Sequence, residues 1–182
     1  TYQANEANSL TASWVGAVSP NAKDTVTTPV LQNNSQVLNL IYKYDKNQWM
    51  FAPYLQYTVI PANPSIGIAD RHQTYGAALL VNYRFTHPEE GASGSPRISL
   101  PMRLEYIGTT GGSTEGEPLL LFGPGSAAWS FTITPTYQYD QYFMRFEASY
   151  VQALRATSGS AFGAQGSNAS QLRGLVELGV LF

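Results

Sequence analysis

The final stretch, Ala169-Ser-Gln-Leu-Arg-Gly-Leu-Val-Glu-Leu-Gly-Val-Leu-Phe182, decides the fold. Successive side chains of a strand point to opposite faces. Read with that period, Leu172, Gly174, Val176, Leu178, Val180 and Phe182 share one face, which is wholly apolar. Arg173, Leu175, Glu177, Gly179 and Leu181 share the other, which mixes charge with small and apolar residues. A soluble chain usually frays into polar residues at its terminus. An aromatic at the edge of an apolar band instead suits a strand crossing a bilayer, with the ring in the interfacial girdle.

The same alternation runs back through the chain. Strands are expected at 9–18, 36–45, 48–59, 73–85, 97–108, 127–139 and 142–154, before the final one. The stretch 127–139 is the cleanest. Trp129, Phe131, Ile133, Pro135, Tyr137 and Tyr139 stand against Ser130, Thr132, Thr134, Thr136 and Gln138. Pro53 falls inside a strand and is expected at an edge or a bulge. Residues 1–8 are polar and carry no pattern. The connections alternate between long, rich in Gly, Pro, Ser and Asn, and short, as at Asp45-Lys46-Asn47-Gln48 and Asp140-Gln141. Long loops on one side and tight turns on the other are the habit of outer-membrane barrels, and they place the C-terminus on the periplasmic side.

Composition agrees. The chain has 182 residues, 43% hydrophobic, 12% charged and 13% aromatic, with twelve Tyr and no Cys. Charge is about half the usual share. The absence of Cys excludes disulfides and thiolate metal sites. A net charge of −2 gives no electrostatic reason to expect nucleic acid as a partner. No apolar run is long enough for a transmembrane helix. The chain starts at Thr1 without Met, as expected of a mature form, an expression form or a fragment of something longer. The expected fold is therefore all-β, an antiparallel transmembrane β-barrel with about eight strands in a single domain over 1–182. A soluble lipocalin-like binder is the weaker rival, because the outward face is too aromatic and too free of charge.

The expected inward charges are Lys43, Arg84, Arg103, Glu105, Arg145, Glu147, Arg173 and Glu177. Arg and Glu two or four residues apart share a face and can meet charges on a neighbouring strand. In a barrel of eight strands side chains fill the interior, so these charges would form a plug. In a wider barrel they would line water and set ion preference. Catalysis is disfavoured, since each Glu has an Arg beside it, a setting for a standing ion pair. His72 and His87 are too far apart in the pattern to share a metal, and no P-loop or nucleophile elbow is present. No cofactor is expected. The loop acids Asp24, Asp70, Glu115 and Glu117 are expected to be solvated, and Leu119 to Phe122 to extend the next strand. The outward aromatics Trp14, Tyr44, Trp49, Tyr83, Phe85, Trp129, Tyr139, Tyr142 and Phe182 lie near strand ends and are expected to form interfacial girdles.

Several stretches resemble the OmpL-like β-barrel porin family of bacterial outer membranes. They are Tyr75-Gly-Ala-Ala-Leu-Leu-Val-Asn-Tyr-Arg-Phe85, Arg103-Leu-Glu-Tyr-Ile107, Phe122-Gly-Pro-Gly-Ser126, Trp129-Ser-Phe-Thr-Ile-Thr-Pro-Thr-Tyr-Gln-Tyr139, Phe146-Glu-Ala-Ser-Tyr-Val151 and the terminal strand, whose final Phe is the habit of such barrels. The resemblance implies an outer-membrane location, contact with lipid and lipopolysaccharide, and passive diffusion of small hydrophilic solutes. Members of that family are longer, so it also implies that this chain corresponds to their C-terminal half. The intact barrel would then be completed by the missing N-terminal part or by a homo-oligomer. The rival from another class is a closed structural or adhesive barrel that displays its external loops.

Overall fold

The computed structural model describes residues 1–16, 34–85, 96–110 and 122–181. The expectations placed on His87, Asp24, Glu115, Glu117, residues 119–121 and Phe182 lie outside these. Within them the chain forms ten strands: β1 (Tyr2–Asn5), β2 (Asn8–Gly16), β3 (Gln36–Lys46), β4 (Trp49–Ile60), β5 (His72–Arg84), β6 (Arg97–Thr109), β7 (Ala127–Ile133), β8 (Thr136–Tyr139), β9 (Tyr142–Leu154) and β10 (Ser170–Val180). A single 3-10 turn, Pro64–Ile66, lies between β4 and β5. All pairings are antiparallel and join neighbours in sequence, so the sheet is a meander from β1 to β10.

The eight expected strands are present, with two differences. Residues 2–5, read as patternless, form β1 against the start of β2, with Tyr2 opposite Leu10 and Gln3 opposite Ser9. The stretch 127–139 is one strand interrupted at Thr134-Pro135, so that β7 and β8 pair with β6 and β9 in a single register. Pro135 has no N–H to give the ladder. On the neighbouring strand Pro101 also lacks one, but its carbonyl accepts from Thr134 N–H (2.8 Å). Pro53 sits in the middle of β4, and the β3–β4 pairing lapses there, between Ile41 opposite Tyr54 and Tyr44 opposite Phe51. That is the local interruption a proline in a strand imposes.

The register gives the tilt. Trp49 pairs with Tyr83 and Tyr83 with Leu100. The row continues to Pro135, whose carbonyl accepts from Phe146 N–H (3.1 Å). Trp49 and Tyr142 each begin a strand after a tight turn. With those turns at one level, the sheet staggers by the four residues between Tyr142 and Phe146 over the four steps from β4 to β9. At about 3.3 Å per residue and 4.8 Å per step, the strands lean by about 35°. That is the tilt of a membrane barrel. The thirteen residues of β6 then rise about 30 Å, the thickness of a bilayer's hydrocarbon core.

Register also sorts the two faces. Leu10 and Trp14 of β2, Leu38, Leu40 and Tyr42 of β3, Leu55 of β4, Leu79 of β5, Leu104 of β6, Phe131 of β7, Met144 and Phe146 of β9 and Leu178 of β10 all emerge on one side, and all are exposed. A soluble sheet would cover such a face. Here the buried apolar side chains are few (Ile60, Ile68, Ala127, Ala128 and Ala153) and sit at the long-loop ends of strands. An uncovered apolar face of this extent marks a surface made for lipid or for another protein. β10 is exposed along nearly its whole length, with Leu172 at 76% and Leu178 at 72%, because β9 is its only partner among the described residues.

Candidate functional site: the polar face of the sheet

The other face collects the polar groups. Its rows include Ser13–Asn39–Gln56–Gly76, Ala78–Glu105–Ser130–Val151 and Leu80–Arg103–Thr132–Ser149–Arg173. Each of the eight inward charges expected from the sequence stands here. They resolve into four clusters.

At the tight-turn end, Asp45 receives Arg84 Nη2 at 2.7 Å and Lys43 Nζ at 3.0 Å. Arg84 belongs to β5, so its guanidinium reaches past β4 to β3, and Nη1 also donates to the Asn47 carbonyl (3.1 Å). One side chain thereby ties down the β3–β4 turn. Within β6, Arg103 Nε lies 3.0 Å from Glu105 Oε2, and the Ser130 hydroxyl of β7 donates to that same oxygen (2.9 Å). Between β9 and β10 the pairs cross. Arg145 meets Glu177 (3.2 Å), directly opposite in register, and Arg173 meets Glu147 diagonally (3.1 Å). The Arg145 guanidinium also lies 4.7 Å over the Phe143 ring. Apart from the half-buried Arg84–Asp45 pair, these pairs are well exposed on at least one side, so each contributes little to stability. Their consequence is electrostatic: positive and negative groups alternate over the surface within contact of their partners.

Sequence reasoning missed Asp45, which its Asp-Lys-Asn-Gln neighbourhood assigned to a turn. β3 runs one residue further, and Asp45 continues the odd-numbered face of Lys43 and Ile41. That parity was the available signal. Two further groups have none as plain. Ser130 acts through its register with Glu105, and Tyr54 donates its hydroxyl to Asn39 Oδ1 (2.7 Å) and contacts the Gln56 amide oxygen.

Phe122 was expected to extend β7 and does not. It stands five residues before Ala127, its carbonyl accepts from Thr157 N–H (2.8 Å), and its ring meets Phe162 edge-on at 5.0 Å. Gly123 makes the turn possible, with φ +112° and no room for a Cβ, which would fall 1.9 Å from Thr157 Oγ1. The connection between β9 and β10 therefore fixes Phe122 over the polar face. Beneath it is a hollow of about 310 Å3 touched by Tyr54 and Gln56 of β4, Glu105 of β6, Ser130 of β7 and Val151 of β9. This hollow spans the polar face from β4 to β9. Two larger hollows, of about 410 and 470 Å3, lie among Leu38, Leu55 and Tyr75 and among Tyr137, Met144 and Leu178 on the apolar face; they are open grooves lined by uncharged residues.

The aromatic residues fall into two groups on the apolar face. At the tight-turn end Trp49 lies 4.7 Å from Tyr83 and 5.3 Å from Phe51, Tyr44 lies 6.2 Å from Phe51, and Phe85 meets Tyr83 edge-on at 4.9 Å. Tyr139 and Tyr142 occupy the corresponding end of β8 and β9. At the long-loop end Trp129 lies 5.3 Å from Tyr150 and Tyr75 lies 6.3 Å from Tyr106, with Trp14 on the far side of the sheet. Among the described residues no group of three His, Asp or Glu side chains comes together as metal ligands would.

A tilted antiparallel meander with one polar face, one face whose only strand charge is Lys46 at a tight turn, and aromatic rings at both ends of its strands is the pattern of a β-barrel protein of the porin kind. The chain matches, over residues 1–182, the family described as Putative beta-barrel porin-2, OmpL-like, and it belongs to that family. No curated protein and no solved structure matches it.

Proposed function

We propose that this chain forms the wall of an outer-membrane porin through which small hydrophilic solutes and ions diffuse passively. The observation that carries the reading is the division of the sheet. Among the described residues the ion pairs between strands and within them lie on the polar face, and within the strands the apolar face carries no charge except Lys46 at a tight turn. In lipid, that division places Lys43, Asp45, Arg84, Arg103, Glu105, Arg145, Glu147, Arg173 and Glu177 along the lumen and the two aromatic groups at the interfaces. The role is that of a channel wall and involves no chemical step. Family membership supports the outer membrane, with its lipid and lipopolysaccharide, as the setting. Since an open sheet edge does not persist in hydrocarbon, the free edge of β10 is paired there by strands of a second copy or of the same barrel.

A second reading has its own observation. Arg84 reaches past a whole strand to Asp45, and the β9–β10 pairs cross-link their strands. In a narrow barrel such side chains fill the lumen, and the protein displays loops instead of conducting. Single-channel recording of the purified protein in a planar bilayer separates the two. Steady open steps are expected. A folded, heat-modifiable barrel that stays silent would overturn the porin reading in favour of the plug.

A further inference from the structure

We propose that the hollow beneath Phe122 is a binding subsite for one uncharged sugar or polyol of about monosaccharide size. The inference rests on the reading of the polar face as wetted by the lumen. Its warrant is the hollow's own chemistry. At about 310 Å3 it stands at the small end of ligand pockets, room for a single ring. Phe122 supplies an aromatic surface held in place from outside the sheet, by Thr157 and by the edge contact with Phe162. Val151 extends that apolar wall. A sugar ring presents C–H groups on one face and hydroxyls around its rim, so it needs one apolar wall and acceptors beside it.

The acceptors are present. Both partners of Glu105, Arg103 and Ser130, engage Oε2. Glu105 lines the hollow, and with Oε2 taken up by these contacts among the described residues, Oε1 is the acceptor offered to a solute hydroxyl. Among the described residues the Gln56 amide nitrogen makes one long contact, to Thr58 (3.4 Å), so it is available to donate. Charge decides the class of solute. Arg103 balances Glu105 at 3.0 Å, so the hollow carries no net charge on which to hold an ion. A cation would compete with Arg103, and an anion would face the Glu105 carboxylate. A neutral polyhydroxylated ring opposes neither.

The test is saturation-transfer NMR on the detergent-folded barrel with glucose, and with glucuronate and glucosamine as charged counterparts of the same size. Glucose is expected to receive saturation on its ring C–H protons, more strongly than either charged sugar. Phe122→Ala is expected to weaken glucose binding roughly three- to tenfold, the worth of one aromatic contact. Gln56→Ala, placed on β4 away from the loop, should weaken it as well and guards against a merely unfolded Phe122→Ala. Phe143→Ala, an aromatic on the same face outside the hollow, should leave it unchanged. Absence of saturation, equal binding in Phe122→Ala and the parent, or preference for a charged sugar would each overturn the proposal. The readout needs no current, so a barrel that binds glucose but conducts nothing would refute the porin reading alone.

Discussion

Leu104→Arg is the substitution that most directly tests which face meets lipid. Leu104 lies one residue from the midpoint of β6 (Arg97–Thr109), so it sits close to the bilayer midplane. By register its neighbours are Leu79 and Phe131, and all three are exposed on the apolar face, Leu104 by half. A cation at that depth on a barrel's lipid face costs about 2–4 kcal/mol. The folded-to-unfolded ratio should therefore fall by roughly 30- to 1,000-fold. The assay is reversible urea unfolding of protein inserted in phospholipid vesicles, followed by tryptophan emission. Trp14, Trp49 and Trp129 all stand on the apolar face, so their emission reports insertion directly. The control is Ser13→Arg, which puts the same group on the polar face beside Asn39 and should change stability by no more than about 0.5 kcal/mol, as surface substitutions do. A loss under about 1 kcal/mol for Leu104→Arg, or an equal loss for Ser13→Arg, would refute the assignment of faces.

Three further outcomes follow from single contacts. Gly179→Ala should cost about 1–3 kcal/mol, because a Cβ there would lie 2.4 Å from the Phe143 ring and would push it from beneath Arg145; urea unfolding measures it. Arg84→Ala releases both Asp45 and the Asn47 carbonyl; a loss of about 1 kcal/mol is expected, shrinking as salt is raised, and a salt-independent loss would point to packing instead. Gly123→Ala cannot keep φ at +112° against Thr157, so the contact between Phe122 and the β9–β10 connection should open. Limited proteolysis in residues 155–169 should then accelerate while the strands stay protected, and unchanged cleavage would contradict the anchoring described.

Most of the architecture was legible because it is written with period two. Eight strands and the segregation of Lys43, Arg84 and the Arg–Glu sets from Trp49, Tyr83 and Trp129 follow from alternation, and the structure keeps those parities. What escaped lacked either length or locality. The four residues of β1 are too few to show a period, and Asp45 was hidden by turn-like neighbours. Phe122 obeys no period at all, since its place is set by Thr157 and Phe162, some thirty-five to forty residues later. Which Arg meets which Glu was likewise beyond reach. A tight turn fixes register by its own geometry, as between β8 and β9, but a long connection such as 155–169 leaves it open.

That open register is where the charges act. A slip of β10 by one residue would turn Arg173 and Glu177 into lipid, and the apolar pattern forbids it. A slip by two keeps every face and so escapes hydrophobic control. One such slip sets Glu177 opposite Glu147 and Arg145 opposite Gly179, placing like charges in contact. The opposite slip sets Arg173 directly against Glu147 and makes Arg145 and Glu177 diagonal neighbours, so both cations keep a carboxylate within reach. The observed register, with Arg145 opposite Glu177 and Arg173 within 3.1 Å of Glu147, gives both cations a carboxylate. Exposed ion pairs add little to stability one by one. Here they exclude one alignment that the apolar face treats as equal, the slip that opposes Glu177 to Glu147.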